Sequence, residues 1–155
     1  MRALRWLRGM AGTMLVWALA WAVAGAGFGA VHASWFHWTR HGSFPNQEWL
    51  TRSTVGGGVF FAILGAMTAV VFGVALSLLE RRRSVEDLPV RRVAAVGALC
   101  GMAHPLLSTV LAYALEGLVL DGIAFSLVLT ALLGGGCAAG TLALARRPPR
   151  AALPR

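Results

Sequence analysis

Residues 55–79 read VGGGVFFAILGAMTAVVFGVALSLL, an unbroken run without a formal charge. A helix rises about 1.5 Å per residue, so this run is long enough to cross a hydrocarbon core about 30 Å thick. Open strands are excluded because each unpaired backbone group facing lipid costs several kcal/mol, and the alternation typical of barrel strands is missing. The stretch therefore predicts a transmembrane helix.

Three further runs of the chain share this character. They cover residues 11–31, 93–115 and 122–145, and none contains a formal charge. The composition agrees, since the 155 residues are 57% hydrophobic and 13% charged, against about a quarter charged in soluble domains. Four spans with short connections predict an all-α, up-down, four-helix transmembrane bundle that forms one integral membrane domain over residues 1–155.

The arginines predict how the bundle is oriented. All 14 basic residues are arginines, set against six acids, which gives a formal charge of +8. Twelve of them flank the ends of the spans that share a side with the two termini, and only Arg40 and Arg52 lie on the other side. Because basic flanks stay in the cytoplasm, we expect a bacterial-type inner (plasma) membrane protein with both termini cytoplasmic. The charge then faces lipid headgroups, and we expect no nucleic-acid partner.

An alternative for the first span is a cleaved signal peptide, because Val31-His32-Ala33 resembles a small-x-small cleavage site. The apolar run of residues 11–31 is longer than the 7–15 residues or so that are usual for a signal-peptide core. We therefore expect this segment to remain as the first span.

Small residues recur at helical spacing in every span. Helices in lipid associate through close packing of small residues and through hydrogen bonds, because lipid offers little hydrophobic drive. The pattern predicts a bundle packed by glycine and alanine. The glycines expected at helix contacts are Gly65, Gly73, Gly97, Gly101, Gly136 and Gly140.

The most conspicuous polar residue within a span is His104. It lies about three helical turns beyond Arg92 and is followed by Pro105, whose missing N–H leaves a helical carbonyl without its partner. Ser108 lies one turn further on, and Thr68, counted from Arg81, is expected at a similar depth. These residues form a candidate intramembrane polar site, and the alternative is a structural histidine satisfied by its neighbours.

Histidines and aromatic residues also gather in the first connection, predicted as an interfacial loop over residues 32–54 in which Pro45 begins a short helix. If this segment is helical, His37 and His41 share a face and His32 points away. The spacing thus offers two ligands for zinc or copper, and the alternative is histidines that simply face water or headgroups.

No residue pattern indicates catalysis. The chain has no G-x-S-x-G elbow, no C-x-x-C pair and no carboxylate in its first span of the kind that small multidrug exporters carry. His104 has no second histidine at matching depth on a facing span, which excludes haem held between two histidines. We expect neither enzymatic activity nor a cofactor.

The stretch from Gly65 to Gly101 combines a glycine-rich helix, the turn Glu80-Arg81-Arg82-Arg83, Leu88-Pro89 and a second glycine-containing helix. It resembles uncharacterised small four-span membrane proteins of high-GC bacteria. The resemblance covers about a quarter of the chain, and that group implies no activity and no site residue.

Two functions follow as hypotheses from these features. The first is a noncatalytic accessory or assembly-forming subunit, whose partners are the lipid bilayer and either further copies of the chain or another membrane-complex subunit. The second is a small transporter or channel in which His104 lines a polar path.

Overall fold

The residues that the structure describes form a bundle of four long helices. A computed structural model describes residues 2–79, 87–116 and 123–146. The helices are α1 (Arg2–His41), α2 (Gln47–Leu79), α3 (Val90–Glu116) and α4 (Ile123–Ala145). All four contain stretches long and apolar enough to cross a membrane, and the described ranges contain no strand. The predicted all-α bundle is therefore confirmed, and the chain is a multi-pass membrane protein.

The connection between α1 and α2 is much shorter than the loop predicted over residues 32–54. Residues 32–41 continue α1, and α2 begins at Gln47. Gly42 ends α1 with a φ of 66°, a conformation that glycine adopts without steric cost. Asn46 caps α2 by accepting a 2.8 Å hydrogen bond from the Trp49 amide, so Pro45 precedes this cap instead of opening a helix.

The four helices form two hairpins. In the first, hairpin A, α1 packs along α2, and in the second, hairpin B, α3 packs along α4, whereas contacts between the hairpins are sparse. We call the end of the bundle at His41 and Glu116 the closed end, and the end at Leu79 and Val90 the open end. Since α1 and α3 both run towards the closed end, the two hairpins have the same direction.

In each hairpin, the two helices cross at glycines. In hairpin A, Gly25 lies against the Gly57 carbonyl, and a Cβ added to Gly57 would fall on the Gly25 carbonyl. In hairpin B, Gly97 and Gly134 meet in the same reciprocal way. Backbones approach this closely only where neither helix carries a side chain, so the glycines set the distance between the paired helices.

The two crossings follow one sequence pattern. The motif A-x2-G-A-x2-G-x2-H occurs at positions 22–32 on α1 and again at positions 94–104 on α3. The facing helices α2 and α4 carry the matching segments Ser53-x3-Gly57-Gly58 and Thr130-x3-Gly134-Gly135. The contacts repeat with the motif, since Gly29 lies against the Ser53 carbonyl as Gly101 lies against that of Thr130. The fold is thus one hairpin built twice, with both copies crossing the membrane in the same direction, as in parallel repeats.

The hairpins meet around two tryptophans of α1. Trp17 and Trp21 are fully buried. The Trp17 ring stacks on Phe72 with centroids 5.0 Å apart, and its Nε1–H donates a 3.0 Å hydrogen bond to the Thr141 hydroxyl of α4. Nearer the closed end, the ring centroids of Phe28 on α1 and Phe125 on α4 are 6.1 Å apart. The core around Trp17 includes Ala69, Leu88, Val93, Ala138 and Leu142.

Candidate functional site

The structure places His104 on α3 beside the glycine crossing of hairpin B. Its side chain is half-buried, and it makes no hydrogen bond to any residue that the structure describes. Ser108 is exposed and donates to the Pro105 carbonyl of its own helix at 3.1 Å. Thr109 donates to the same carbonyl at 2.7 Å. The hydroxyls of Ser108 and Thr109 therefore donate to the Pro105 carbonyl and not to the imidazole.

The expectation that Thr68 lies level with His104 is wrong. Thr68 is fully buried, and its hydroxyl donates to the Leu64 carbonyl at 2.8 Å. Trp17 contacts Gly65 through its backbone carbonyl and Thr141 through its ring nitrogen, so Gly65 and Thr141 lie within about one helical turn of the same level. On α4, Thr130, the residue against Gly101, lies about three helical turns from Thr141 towards the closed end. At about 1.5 Å per residue, Thr68 lies roughly 20–25 Å along the bundle from His104.

The difference arises because Arg81 and Arg92, which flank α2 and α3, do not mark the same depth. Counting from Arg81 and from Arg92 assumes that both mark the same level. However, α3 begins at Val90, and Val93 packs in the same core as Trp17. By contrast, α2 continues to Leu79, beyond that core. The two hairpins thus end at different levels at the open end, and the structure does not bring Thr68 to His104.

The glycines predicted at helix contacts divide into three groups. Gly97 and Gly101 lie directly against α4, and Gly65 lies against Trp17 and Trp21. Gly73 is looser, because a Cβ there would meet only the end of the Met10 side chain, at 3.3 Å. The remaining two, Gly136 and Gly140, have no atom of the described chain within 4 Å of an added Cβ.

These last two glycines form the clearest candidate site. The chain contains three G-x3-G patterns, at residues 25–29, 97–101 and 136–140. The first two are covered within their own hairpins, whereas Gly136 and Gly140 are exposed. Leu132 and Ala143 continue the same exposed line on α4, and Leu132 is 70% accessible. We call Leu132, Gly136, Gly140 and Ala143 the α4 face.

The α4 face is suited to contact with another helix and offers no group for catalysis. It presents only apolar and small side chains, which allow a second backbone to come close. At the places on α2 that are equivalent to Gly136 and Gly140, hairpin A carries Val59 and Ile63. The open G-x3-G is therefore a feature of hairpin B alone.

No family model, curated protein or solved structure matches the chain.

A signal for the paired hairpins was present in the sequence. The repeat of A-x2-G-A-x2-G-x2-H identifies Gly25 and Gly29 as equivalents of Gly97 and Gly101. Comparing the chain with itself at the spacing of this repeat predicts that both pairs cross a partner glycine. Inspection of single spans for small residues at steps of four does not reveal this equivalence.

The structure brings His37 and His41 together at the closed end of hairpin A. Their ring centroids are 4.7 Å apart. His32 lies apart from them, with its ring stacked between Phe28 and Phe36 at 5.7 and 6.3 Å. Among the residues that the structure describes, no group of three His, Cys, Asp or Glu side chains is placed to hold a metal ion together. The structure thus brings His37 and His41 together and leaves His32 apart.

Proposed function

We propose that this protein is a noncatalytic, assembly-forming subunit of a bacterial-type inner membrane, and that its α4 face pairs with the α4 face of a second copy. The observation that carries this proposal is the open Gly136-x3-Gly140 pattern. The other two G-x3-G patterns of the chain are each covered by a partner helix. A second copy supplies the same cover for the third.

The physics of helix association in lipid supports this use of the α4 face. Apolar side chains gain little by leaving lipid for another helix, so shape and close approach decide which faces pair. A face centred on Gly136 and Gly140 fits a twofold crossing, because the same residues then meet across the axis. Leu132 and Ala143 continue the contact on either side of the crossing.

The proposed orientation has both termini in the cytoplasm. It is supported by the arginine distribution, since Arg91 and Arg92 lie at the start of α3, at the open end of the bundle. Arg40 and Arg52 are the arginines of the opposite, closed end. The open end then faces the cytoplasm.

A transport path through His104 is less well supported. It needs a continuous row of polar groups across the bundle, and Thr68 lies roughly 20–25 Å from His104 along the bundle. The hydroxyls of Thr68, Ser108 and Thr109 are each donated to a carbonyl of their own helix. Assembly through the α4 face requires no such path.

The test of the proposed function is the oligomeric state of the Gly136→Leu, Gly140→Leu double variant in lipid vesicles. Fluorescence energy transfer between labelled copies measures association as the protein is diluted with lipid. We expect transfer in the wild type that saturates at a dimer, and a loss of at least about tenfold in association constant for the double variant, because leucine side chains hold the helices apart.

Gly27→Leu is the matched control. Gly27 is exposed on α1 and, like Gly136, has no atom within 4 Å of an added Cβ. This variant should associate like the wild type. Unchanged association of the double variant, or a wild type that remains monomeric at the highest protein density, would contradict the proposal.

A further inference from the structure

Hairpin A has a polar pocket at its closed end, and no residue of the α4 face lines this pocket. Its volume is about 440 Å³. His37 and His41 lie one helical turn apart on α1 and point into it together. The pocket is completed by Phe36, Asn46, Glu48, Trp49 and Arg52.

The position of the proton on His37 is fixed by the turn after α1. His37 Nδ1 lies 2.9 Å from the Ser43 carbonyl oxygen. A carbonyl only accepts hydrogen bonds, so Nδ1 carries the hydrogen and the neutral ring presents its lone pair at Nε2. Metal-binding histidines are usually held in this way, by donating the second ring nitrogen to a carbonyl or carboxylate.

His41 is placed to bind the same ion. Residues four apart on a helix lie on one face, and two histidines at this spacing form the metal-binding pair of the H-E-x-x-H motif. The 4.7 Å between the two ring centroids leaves both rings within reach of one ion. The Trp49 ring packs against the His37 ring, with centroids 5.7 Å apart.

Glu48 also lines this pocket but is not placed as a third ligand. It forms an ion pair with Arg52 at 3.4 Å, and the two side chains are 81% and 79% exposed. Among the described residues, no third His, Cys, Asp or Glu side chain is grouped with His37 and His41 to hold a metal ion. The two imidazole nitrogens are ligands of a type that Zn²⁺ takes, and water completes its coordination.

We propose that His37 and His41 bind one Zn²⁺ ion in this pocket, His37 through Nε2. The site belongs to hairpin A alone, because at the equivalent places on α3 hairpin B carries Thr109 and Tyr113. It lies on the membrane surface opposite the arginine-rich end.

Calorimetric titration of the full-length protein with Zn²⁺ tests the site, using protein purified in detergent through a tag without histidine. We expect one Zn²⁺ per chain in the wild type. His37→Ala and His41→Ala should each weaken Zn²⁺ binding roughly tenfold or more. Even the mutation of a residue that only hydrogen-bonds to a metal ligand lowers metal affinity about 10–100-fold. The double variant should show no saturable binding.

The other two histidines of the chain supply the controls. His32→Ala and His104→Ala remove an imidazole elsewhere and should bind Zn²⁺ like the wild type. Circular dichroism of each variant verifies its helix content, which these exposed or half-buried positions should leave unchanged. The proposal is overturned by a wild type without saturable binding, by stoichiometric binding in the double variant, or by an equal loss in His32→Ala.

Discussion

Gly57→Ala is expected to lower the free energy of unfolding, while Gly56→Ala, one residue earlier on the same helix, is expected to raise it. A Cβ at Gly57 would overlap the Gly25 carbonyl, and overpacking of this kind typically costs about 1–3 kcal/mol. A Cβ at Gly56 meets no atom within 4 Å. There the change only improves helix propensity, by up to about 1 kcal/mol.

Reversible unfolding in mixed detergent and sodium dodecyl sulfate, followed by circular dichroism, measures both variants. The pair controls for propensity and for depth in the membrane, because the residues are neighbours on α2. Gly101→Ala should behave like Gly57→Ala, since it meets the Thr130 carbonyl in the equivalent crossing of hairpin B. Destabilisation of similar size by Gly56→Ala and Gly57→Ala would show that the crossing in hairpin A is not as described.

Trp17→Ala is expected to be the most destabilising single change, at about 3–5 kcal/mol. Trp17 is fully buried, stacks on Phe72 and donates the hydrogen bond to Thr141 that joins the two hairpins. Its removal leaves a cavity where the contacts between the hairpins are sparse. The same unfolding measurement gives the magnitude.

Trp35→Ala is the control for this prediction, because Trp35 is a tryptophan of the same helix that is 69% exposed. Its loss should change the free energy of unfolding by less than about 1 kcal/mol. Equal effects of the two substitutions would rule out a central role for Trp17 between the hairpins.

The number and type of the helices could be predicted from the long runs without charged residues. The end of α1 and the start of α2 could not be predicted in this way. The predicted third and fourth spans nearly coincide with α3 and α4 at both ends. The aromatic and histidine side chains of residues 32–41 predict an interfacial loop. This stretch contains neither glycine nor proline, so the helix continues to Gly42.

The contacts between the hairpins could not be predicted from the sequence, for a geometric reason. Flanking arginines predict the depth of a residue within its own span, but the hairpins are staggered at the open end, which separates Thr68 from His104. Likewise, Gly101 and Gly140 each end a G-x3-G pattern, yet one is covered and the other open. The difference depends on how α3 and α4 are rotated about their axes.

The duplication gives each hairpin one feature that the other lacks. Hairpin B has the open glycines Gly136 and Gly140, where hairpin A has Val59 and Ile63. Hairpin A has the histidine pair of the closed-end pocket, which hairpin B lacks. In this interpretation, the shared crossing supplies the scaffold, one copy supplies the proposed contact with a second chain, and the other supplies the proposed metal site.

Disulfide cross-linking in membranes tests the proposed pairing of α4 most directly. Gly140→Cys is made in a Cys100→Ser, Cys137→Ser background, and membranes are treated with copper phenanthroline. A glycine crossing brings equivalent Cα atoms close to the separation of about 4.4–6.8 Å that a disulfide requires. We predict a covalent dimer for Gly140→Cys and none for Ile63→Cys, the equivalent and 57% exposed place on hairpin A. Absence of the dimer at residue 140, or equal cross-linking at residue 63, would contradict assembly through the α4 face.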